Sequence, residues 1–477
     1  MNKKFYITTT LPYVNADPHI GFALEIIQAD VIARYYKNQG YEVFFNTGVD
    51  EHGLKIFRKA KENNMSPQEY CNMYAEKFNN LKQALNLSYN SFIRTTDVYH
   101  TKATQEFWNL CYKNGDIYKK NYKIKYCVGC ELEKTDSELK NGRCVVHPNQ
   151  EIEIIEEENY FFRYSKYQKK LLDFYKKNSN FVVPIKRLNE IKEFTKKGLE
   201  DFSISRLKEK MPWGVNVLGD EDQIMYVWFD ALVSYISALG WPDNIKNFND
   251  FWPGLQFAGK DNLRQQSSMW QAMLMSAGLP NSKQIFIHGF ITVGRQKMSK
   301  SLGNVIDPFE LVKKYGTDAV RYYLLREILP TEDGDFTYEK FEQRYNSDLA
   351  GGIGNLLART IAMASKIKNQ KSKIENKNQK LKIFIKKIEK KYKKDISEFK
   401  FNEALKSIWE IISFCDKYIN ENKPWEGDKS ASRVIFDVLS ALEKISDLLS
   451  PFLPKTSEKI RDTIKAKKSV ILFPKLT

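Results

Sequence analysis

The first fifty residues constrain the fold more than any other part of the chain. Residues 5–11 (FYITTTL) and 42–48 (EVFFNTG) are short runs rich in aromatic and β-branched side chains, ended by turn residues, and read as buried strands. Between them Ile20, Ala23, Leu24, Ile27, Val31 and Tyr35 recur at helical spacing. Asp17 is expected to cap that helix, Pro18 to occupy its first turn and Gly40 to follow its last. Strand, helix and strand at this spacing predict parallel pairing through a right-handed crossover, hence an α/β fold on a parallel sheet.

The rest of the chain extends the pattern. Residues 60–115 read as helices, and alternating strand and helix patterns resume near 224 ("IMYVWFDALVSYISALG") and at 284–288 ("QIFIH"). Residues 117–220 read as short strands and turns, an insertion into the sheet domain. From 346 onward the pattern is almost wholly helical. There Leu381, Ile385, Ile388 and Tyr392 give a lysine-rich stretch an apolar stripe, which predicts a helix with one solvated face.

Composition narrows the class. At 477 residues and 42% hydrophobic content the chain can bury more than one core. No uninterrupted apolar stretch is long enough to cross a membrane, and "MNKKFYITTT" has no apolar signal core, so a cytoplasmic protein without a membrane partner is expected. The formal charge of +16 favours a polyanionic partner, with a merely solvated lysine-rich surface as the plain alternative.

Six cysteines in a chain of this length, without a signal segment, do not make a disulfide framework. Cys71, Cys111 and Cys415 stand alone inside helical patterns and are expected as buried thiols. Cys127, Cys130, Cys144 and His147 form Cys-x2-Cys, a spacer, then Cys-x2-His. Two tight knuckles offering four soft ligands suit one tetrahedral Zn²⁺, and with every position filled by protein the expected role is structural.

Two further segments carry charge chemistry. "GRQKMSKSLGN", Gly294 to Asn304, sets Lys297 and Lys300 three apart between glycines, after a strand and the turn His288–Gly289. Such a loop at the carboxyl edge of a sheet can neutralise a polyphosphate; it is not a Walker loop, since Gly-x4-Gly-Lys-Ser/Thr is absent. "DPHIGFALE" places His19 and Gly21 at the start of the first helix, where unpaired N–H groups and the helix dipole seat phosphate. Alone, His19 reads equally as a local hydrogen-bonding residue; beside a lysine loop it reads as a phosphate donor.

The pair His19-Ile20-Gly21 and Lys297-Met298-Ser299-Lys300-Ser301 resembles the two signatures of class I aminoacyl-tRNA synthetases. With "LPYVNADPHIG", "NTGVDEHG", "YVWFDAL", "HGFITV", "GNLLAR" and "INENKPW", the text over nearly the whole length is similar to the methionyl-tRNA synthetase family. The resemblance implies a Rossmann-type catalytic domain in two halves, 1–116 and 221–290, around a zinc-bearing connective insertion at 117–220. A lysine-loop region at 291–345 and a helical anticodon-binding domain at 346–477 follow. It implies activation of L-methionine by Mg²⁺-ATP, then transfer to tRNA(Met), initiator tRNA included, by a monomer.

Residue by residue, the resemblance assigns His19, Gly21, Gly259, Asp261, His288, Ile291, Lys297 and Lys300 to ATP, with His19 and the two lysines on the reacting phosphates. It assigns Leu11, Tyr13, Asp50, Trp228, Ala231, Tyr235, Gln266 and Trp270 to methionine, Asp50 pairing with the α-ammonium group. Leu232 lies on the same helical stripe, with plain core packing an equal alternative. Asn355, Arg359 and Trp425 are assigned to the anticodon, Trp425 by stacking on an unpaired base or, from spacing alone, as a core tryptophan. Three positions depart from the family pattern: Phe22 stands where a second histidine is usual, and Asn262 and Gln266 where an apolar residue and a histidine are general. The other readings weighed are a small nucleotidyltransferase, a non-catalytic tRNA-binding paralogue, and a class I synthetase for another amino acid. Both lysines and the helical tail argue against the first two.

Overall fold

The computed structural model describes residues 3–130, 132–134, 138–298, 303–366, 378–426 and 431–476. They divide into two compact units. One comprises Met1–Pro18, Gly40–Asn80 and Tyr89–Ile287; the other comprises His19–Gln39, Leu81–Ser88 and His288–Thr477.

The first unit is built on a six-stranded sheet in the order Ser91–Arg94, Glu42–Val49, Lys4–Thr8, Leu255–Gly259, Gln284–His288, Val182–Val183. Lys4–Thr8 is buried from Phe5 onward and pairs in parallel with both neighbours, Phe5 opposite Val43 and Ile7 opposite Leu255. Close strand approach requires Gly48, since a Cβ there would lie 1.9 Å from the Ile93 carbonyl oxygen. The chain builds outward on one side of Lys4–Thr8 and later restarts on the other. That change of direction makes a switch point between Lys4–Thr8 and Leu255–Gly259, where the loops leaving the carboxyl ends diverge and leave room for a ligand. Leu11 and Tyr13 follow one of these strands and Asp261 the other; Asp50 follows Glu42–Val49, and His288 ends Gln284–His288.

The parallel α/β architecture is the one the sequence predicts, with corrections. Leu255–Gly259 is a central strand that the pattern did not reveal, being five residues wedged between Pro253–Gly254 and Lys260. The strand near 224, Gln223–Met225, pairs antiparallel with Ser205–Leu207 outside the main sheet, so that run contributes the helix Val227–Ser237. Within 60–115 the strand Ser91–Arg94 interrupts the helices. The insertion is more than strands and turns. Its long hairpin, Ile117–Cys127 against Glu153–Phe162, is followed by helices Gln168–Lys177 and Ile185–Lys196. Leu171 and Tyr175, then Leu188, Ile191 and Thr195, are buried at helical spacing among lysines, so amphipathic spacing outweighs the local turn signals.

The second unit begins with helix Ile20–Asn38, which buries Ile20, Ala23, Leu24, Ile27 and Val31 and leaves Tyr35 half-buried, and Gly40 follows it with a left-handed φ of 81°. Its cap is not Asp17. His19 is the N-cap, its Nδ1 accepting from the Gly21 N–H, while the Ile20 N–H donates to the Ile306 carbonyl and Asp17 pairs with Lys77. Pro18 therefore lies outside the helix. Midway along it the buried Asp30 pairs with Arg321 at 2.8 Å, and Arg321 also donates to the carbonyls of Leu85, Pro451 and Phe452. One guanidinium thus ties this helix to the turn between Ala431–Leu449 and Pro454–Ala466. The lysine-rich helix Gln379–Ser397 buries Leu381, Ile385, Ile388 and Tyr392 as its stripe predicts. Among the described residues, no helix is long and apolar enough to cross a membrane.

Candidate functional site

In the first unit, segments 12–14 and 50–52 are stitched together beyond the strand ends. Tyr13 and Asp50 face each other in a parallel bridge, the Asp50 N–H donates to the Pro12 carbonyl, and the Val14 N–H donates to the Asp50 carbonyl. The Tyr13 hydroxyl donates to the His52 carbonyl at 2.6 Å. The next side chains anchor the loop in two directions. Glu51, fully buried, accepts from Arg94 Nε at 2.7 Å and from the Thr96 hydroxyl. His52 Nδ1 lies 2.6 Å from Asp230 Oδ2, and His100 Nε2 lies 2.8 Å from Asp230 Oδ1. Burial alone would raise the Asp230 carboxyl; the charge on His52 and the hydrogen bonds from both rings outweigh it and hold it at about 2.

Helix Val227–Ser237 carries Asp230 on one face and a hydrophobic wall on another. Trp228 and Ala231 are half-buried, whereas Leu232 and Tyr235 are buried. Leu232 belongs to the same hydrophobic core cluster as Tyr235 and Trp270. A stretch of π-helix, Gln265–Met269, runs into helix Trp270–Ser276. The wider turn brings Gln266 Nε2 within 2.5 Å of the Tyr235 hydroxyl, and Trp270 meets the Tyr235 ring edge-on at 6.1 Å. Tyr235, Gln266 and Trp270 are therefore brought together. Asn262 instead is half-buried and donates to Asp261, whose side chain is exposed just past Gly259.

In the second unit, His19 is fixed by its cap. Because Nδ1 accepts from the Gly21 N–H, the hydrogen of the neutral ring sits on Nε2, which makes it a donor. Surrounding protein lowers the His19 pKa below the usual histidine value by desolvation, and the Lys297 charge lowers it further. A Cβ on Gly21 would lie 2.9 Å from the His19 ring, so the glycine leaves that ring its place. Phe22 is half-buried. Lys297 stands exposed on a hairpin, Ile291–Val293 against Gln296–Lys297, whose turn residues Gly294 and Arg295 both have positive φ. Asp335 holds that turn by accepting from the Arg295 N–H at 2.7 Å. Lys300, with Ser299 and Ser301, lies outside the described residues. His288 is buried between the Gly289 carbonyl, to which Nδ1–H donates, and Glu25, whose carboxylate is 2.7 Å from Nε2; Ile291 is buried beyond it.

The metal candidates converge. The ligating atoms of Cys127, Cys130, Cys144 and His147 all lie within 4.8 Å of one another, with Cys130 Sγ 3.5 Å from Cys144 Sγ and 3.1 Å from His147 Nδ1. A tetrahedral zinc site spaces its sulfurs by about 3.8 Å, so these four residues could hold one metal ion, zinc by the chemistry of the donor set. Cys71, Cys111 and Cys415 are buried thiols.

In the helical part, Asn355 and Arg359 lie one turn apart on helix Asn355–Ala364, Asn355 exposed and Arg359 bonded to Asn420 at 3.0 Å. Asn420 belongs to the last turn of Phe401–Asn422, and Trp425 follows that helix 53% exposed, which removes its reading as a core tryptophan.

Sequence reasoning passed over Glu25, Glu51, His100 and Asp230. One signal was present: the chain has only five histidines, and each proves to sit in a polar cluster.

Comparisons with known proteins identify the family. A family described as tRNA synthetases class I (M) matches residues 5–138 and 129–361, and an anticodon-binding domain of tRNA ligase matches 378–477. The methionine–tRNA ligase of Thermotoga maritima is 45% identical over 96% of this chain and 74% of its own length. That of Thermosynechococcus vestitus is 42% identical over 96% of this chain and 90% of its own. The structure of Mycobacterium tuberculosis methionyl-tRNA synthetase in complex with methionyl-adenylate superposes with a TM-score of 0.91 at 36% identity, covering 96% of this chain and 93% of that one. The chain belongs to the methionyl-tRNA synthetase family of class I.

Proposed function

We propose that the chain is a cytoplasmic methionine–tRNA ligase that activates L-methionine with ATP and charges tRNA(Met), initiator tRNA included. The carrying observation is kinship along 96% of the chain. In the first step a methionine carboxylate oxygen bonds to the α-phosphorus of ATP, the α–β P–O bond breaks, and pyrophosphate leaves. In the second the ribose 2′-hydroxyl of the terminal adenosine attacks the methionyl carbonyl, loses its proton, and AMP departs. Little covalent chemistry falls to the protein, so positioning and charge stabilisation carry the rate.

Asp50 accepts the α-ammonium group of methionine, and Leu11, Tyr13, Trp228, Ala231, Tyr235, Gln266 and Trp270 enclose its side chain. Aromatic walls favour a thioether by about 0.3–1.5 kcal/mol per contact. His19 donates from Nε2 to a phosphate oxygen, and Lys297 and Lys300 offset charge that builds up as pyrophosphate departs. Gly259 and Asp261 receive the ribose; His288 and Ile291 flank the adenine. Mg²⁺ bound with ATP supplies charge neutralisation on the phosphates. Zinc held by Cys127, Cys130, Cys144 and His147 supplies folding free energy to the insertion, with all four positions taken by protein. Residues 1–116 and 221–290 act as the catalytic domain, 117–220 as the connective insertion, 291–345 as the lysine-loop region and 346–477 as the anticodon reader. There Asn355 and Arg359 donate to base edges and Trp425 stacks on an unpaired base.

Charging of purified transcripts tests this reading. Initiator and elongator tRNA(Met) are expected to accept labelled methionine, and a tRNA with a non-methionine anticodon is not. Equal charging of both kinds, or none, would overturn it.

A further inference from the structure

The strongest feature outside the assigned residues is the buried chain His52–Asp230–His100. Asp230 is fully buried, and its two oxygens face two different histidines at 2.6 and 2.8 Å. An ionised carboxylate only accepts, so His52 presents Nδ1–H to it and His100 presents Nε2–H. The far nitrogen of His100 lies 2.8 Å from the Ser237 hydroxyl on the same helix as Asp230. Three segments distant in sequence therefore meet at one side chain: the loop after Glu42–Val49, the helix Val98–Lys113 and the helix Val227–Ser237.

What this junction holds is informative. His52 lies two residues beyond Asp50, and its carbonyl takes the Tyr13 hydroxyl hydrogen bond. Backbone bonds hold the two ends of the loop: Asp50 is bridged to Tyr13, and Gly53, with a φ of 109°, donates its N–H to the Trp213 carbonyl. Between those ends, side chains anchor the loop, Glu51 on Arg94 and Thr96, and His52 on Asp230. A buried carboxylate with two ring N–H donors is costly to leave half-satisfied, so the arrangement has one low-energy geometry.

We propose that Asp230 and His100 are positioning residues for amino-acid recognition: they lock the His52 ring and, through it, hold Asp50 and Tyr13 in the geometry that receives methionine. This rests on the reading of Asp50 as the partner of the α-ammonium group. None of the three bracing residues, His52, Asp230 and His100, needs to touch substrate.

The test uses the full-length protein in methionine-dependent ATP–pyrophosphate exchange, with active sites counted from the burst of ATP consumed in adenylate formation. Asp230→Asn keeps the shape but turns an acceptor into a donor facing a donor. It is expected to raise KM for methionine about tenfold or more per active site while KM for ATP moves little. Desamino-methionine, which lacks the group Asp50 receives, serves as competitive inhibitor and is expected to bind Asp230→Asn nearly as well as the parent protein.

Side-chain stereochemistry supplies variants that keep volume and fold. An asparagine amide nitrogen falls near the Nδ1 position of histidine, and a glutamine amide nitrogen near Nε2. His52→Asn and His100→Gln therefore keep a donor to Asp230, whereas His52→Gln and His100→Asn displace it. KM for methionine is expected to rise less in the first pair than in the second. An unchanged KM in folded Asp230→Asn, equal effects within each pair, or equal weakening of methionine and desamino-methionine would overturn the proposal. If Asp50→Asn itself left KM for methionine unchanged, the underlying reading of Asp50 would fall, and the two failures are thereby distinguishable.

Discussion

The residues assigned to methionine and those assigned to the triphosphate are held in opposite ways. Asp50, Tyr235, Gln266 and Trp270 are buried, and the loop carrying Asp50 is pinned by two further carboxylates, Glu51 and Asp230. Lys297 stands exposed on a hairpin with a two-residue turn, its ammonium 5.9 Å from the centre of the Phe290 ring. Discriminating among small apolar side chains requires dry, preorganised walls, because one methylene is worth only a few kcal/mol even in a good pocket. Neutralising a triphosphate requires charge at the right distance, and a long flexible lysine supplies that without a tight socket.

Paired substitutions can break this contrast. The largest loss is expected from Asp50→Asn, about 10²–10³-fold in kcat/KM for methionine, because removing one partner of a buried charge pair leaves the other uncompensated. Lys297→Ala is expected to lower kcat in pyrophosphate exchange about 10²-fold with KM for methionine unchanged, as for loss of a transition-state charge partner. A rise in KM for methionine in Lys297→Ala would mean that the two sets are not separable. His19→Asn sharpens the point, since asparagine still caps the helix but has no donor at Nε2: melting temperature is expected to hold while kcat falls about tenfold or more.

Smaller effects test the supports. Asp230 titrates in the folded protein at about 2, below the ordinary 3.8 of an aspartate. Its contribution to stability is therefore complete above about pH 4 and disappears as pH falls toward 2, an effect of about 2 kcal/mol. Urea unfolding of the parent and Asp230→Asn should accordingly differ at neutral pH and converge in acid; parallel curves would deny the brace its charge. Trp425→Ala is expected to cost about tenfold in tRNA charging, through lost base stacking, with pyrophosphate exchange unaffected.

Local signals were legible in the sequence and distant pairings were not. Cys127, Cys130, Cys144 and His147 announce themselves by spacing alone, as does the first helix by its apolar period. The central strand Leu255–Gly259 escaped because five residues beside Pro253 and Gly254, with Gln256 among them, are too short a run to carry a period. Asp17 looked like a cap because aspartate is a favoured one, but His19 lies two residues nearer the helix and its own ring nitrogen does the work. Asp230 and His100 are 130 residues apart, and nothing in either neighbourhood signals the other. The brace exists only once the strands and helices have packed.

The most direct test of the account is ATP–pyrophosphate exchange without tRNA, comparing methionine with leucine, isoleucine, valine and cysteine on zinc-loaded protein. Exchange with methionine and only weak exchange with the others is the predicted result, and it would also show that Phe22, Asn262 and Gln266 are compatible with activation. Exchange driven best by a different amino acid, or by none of the five, would contradict the account.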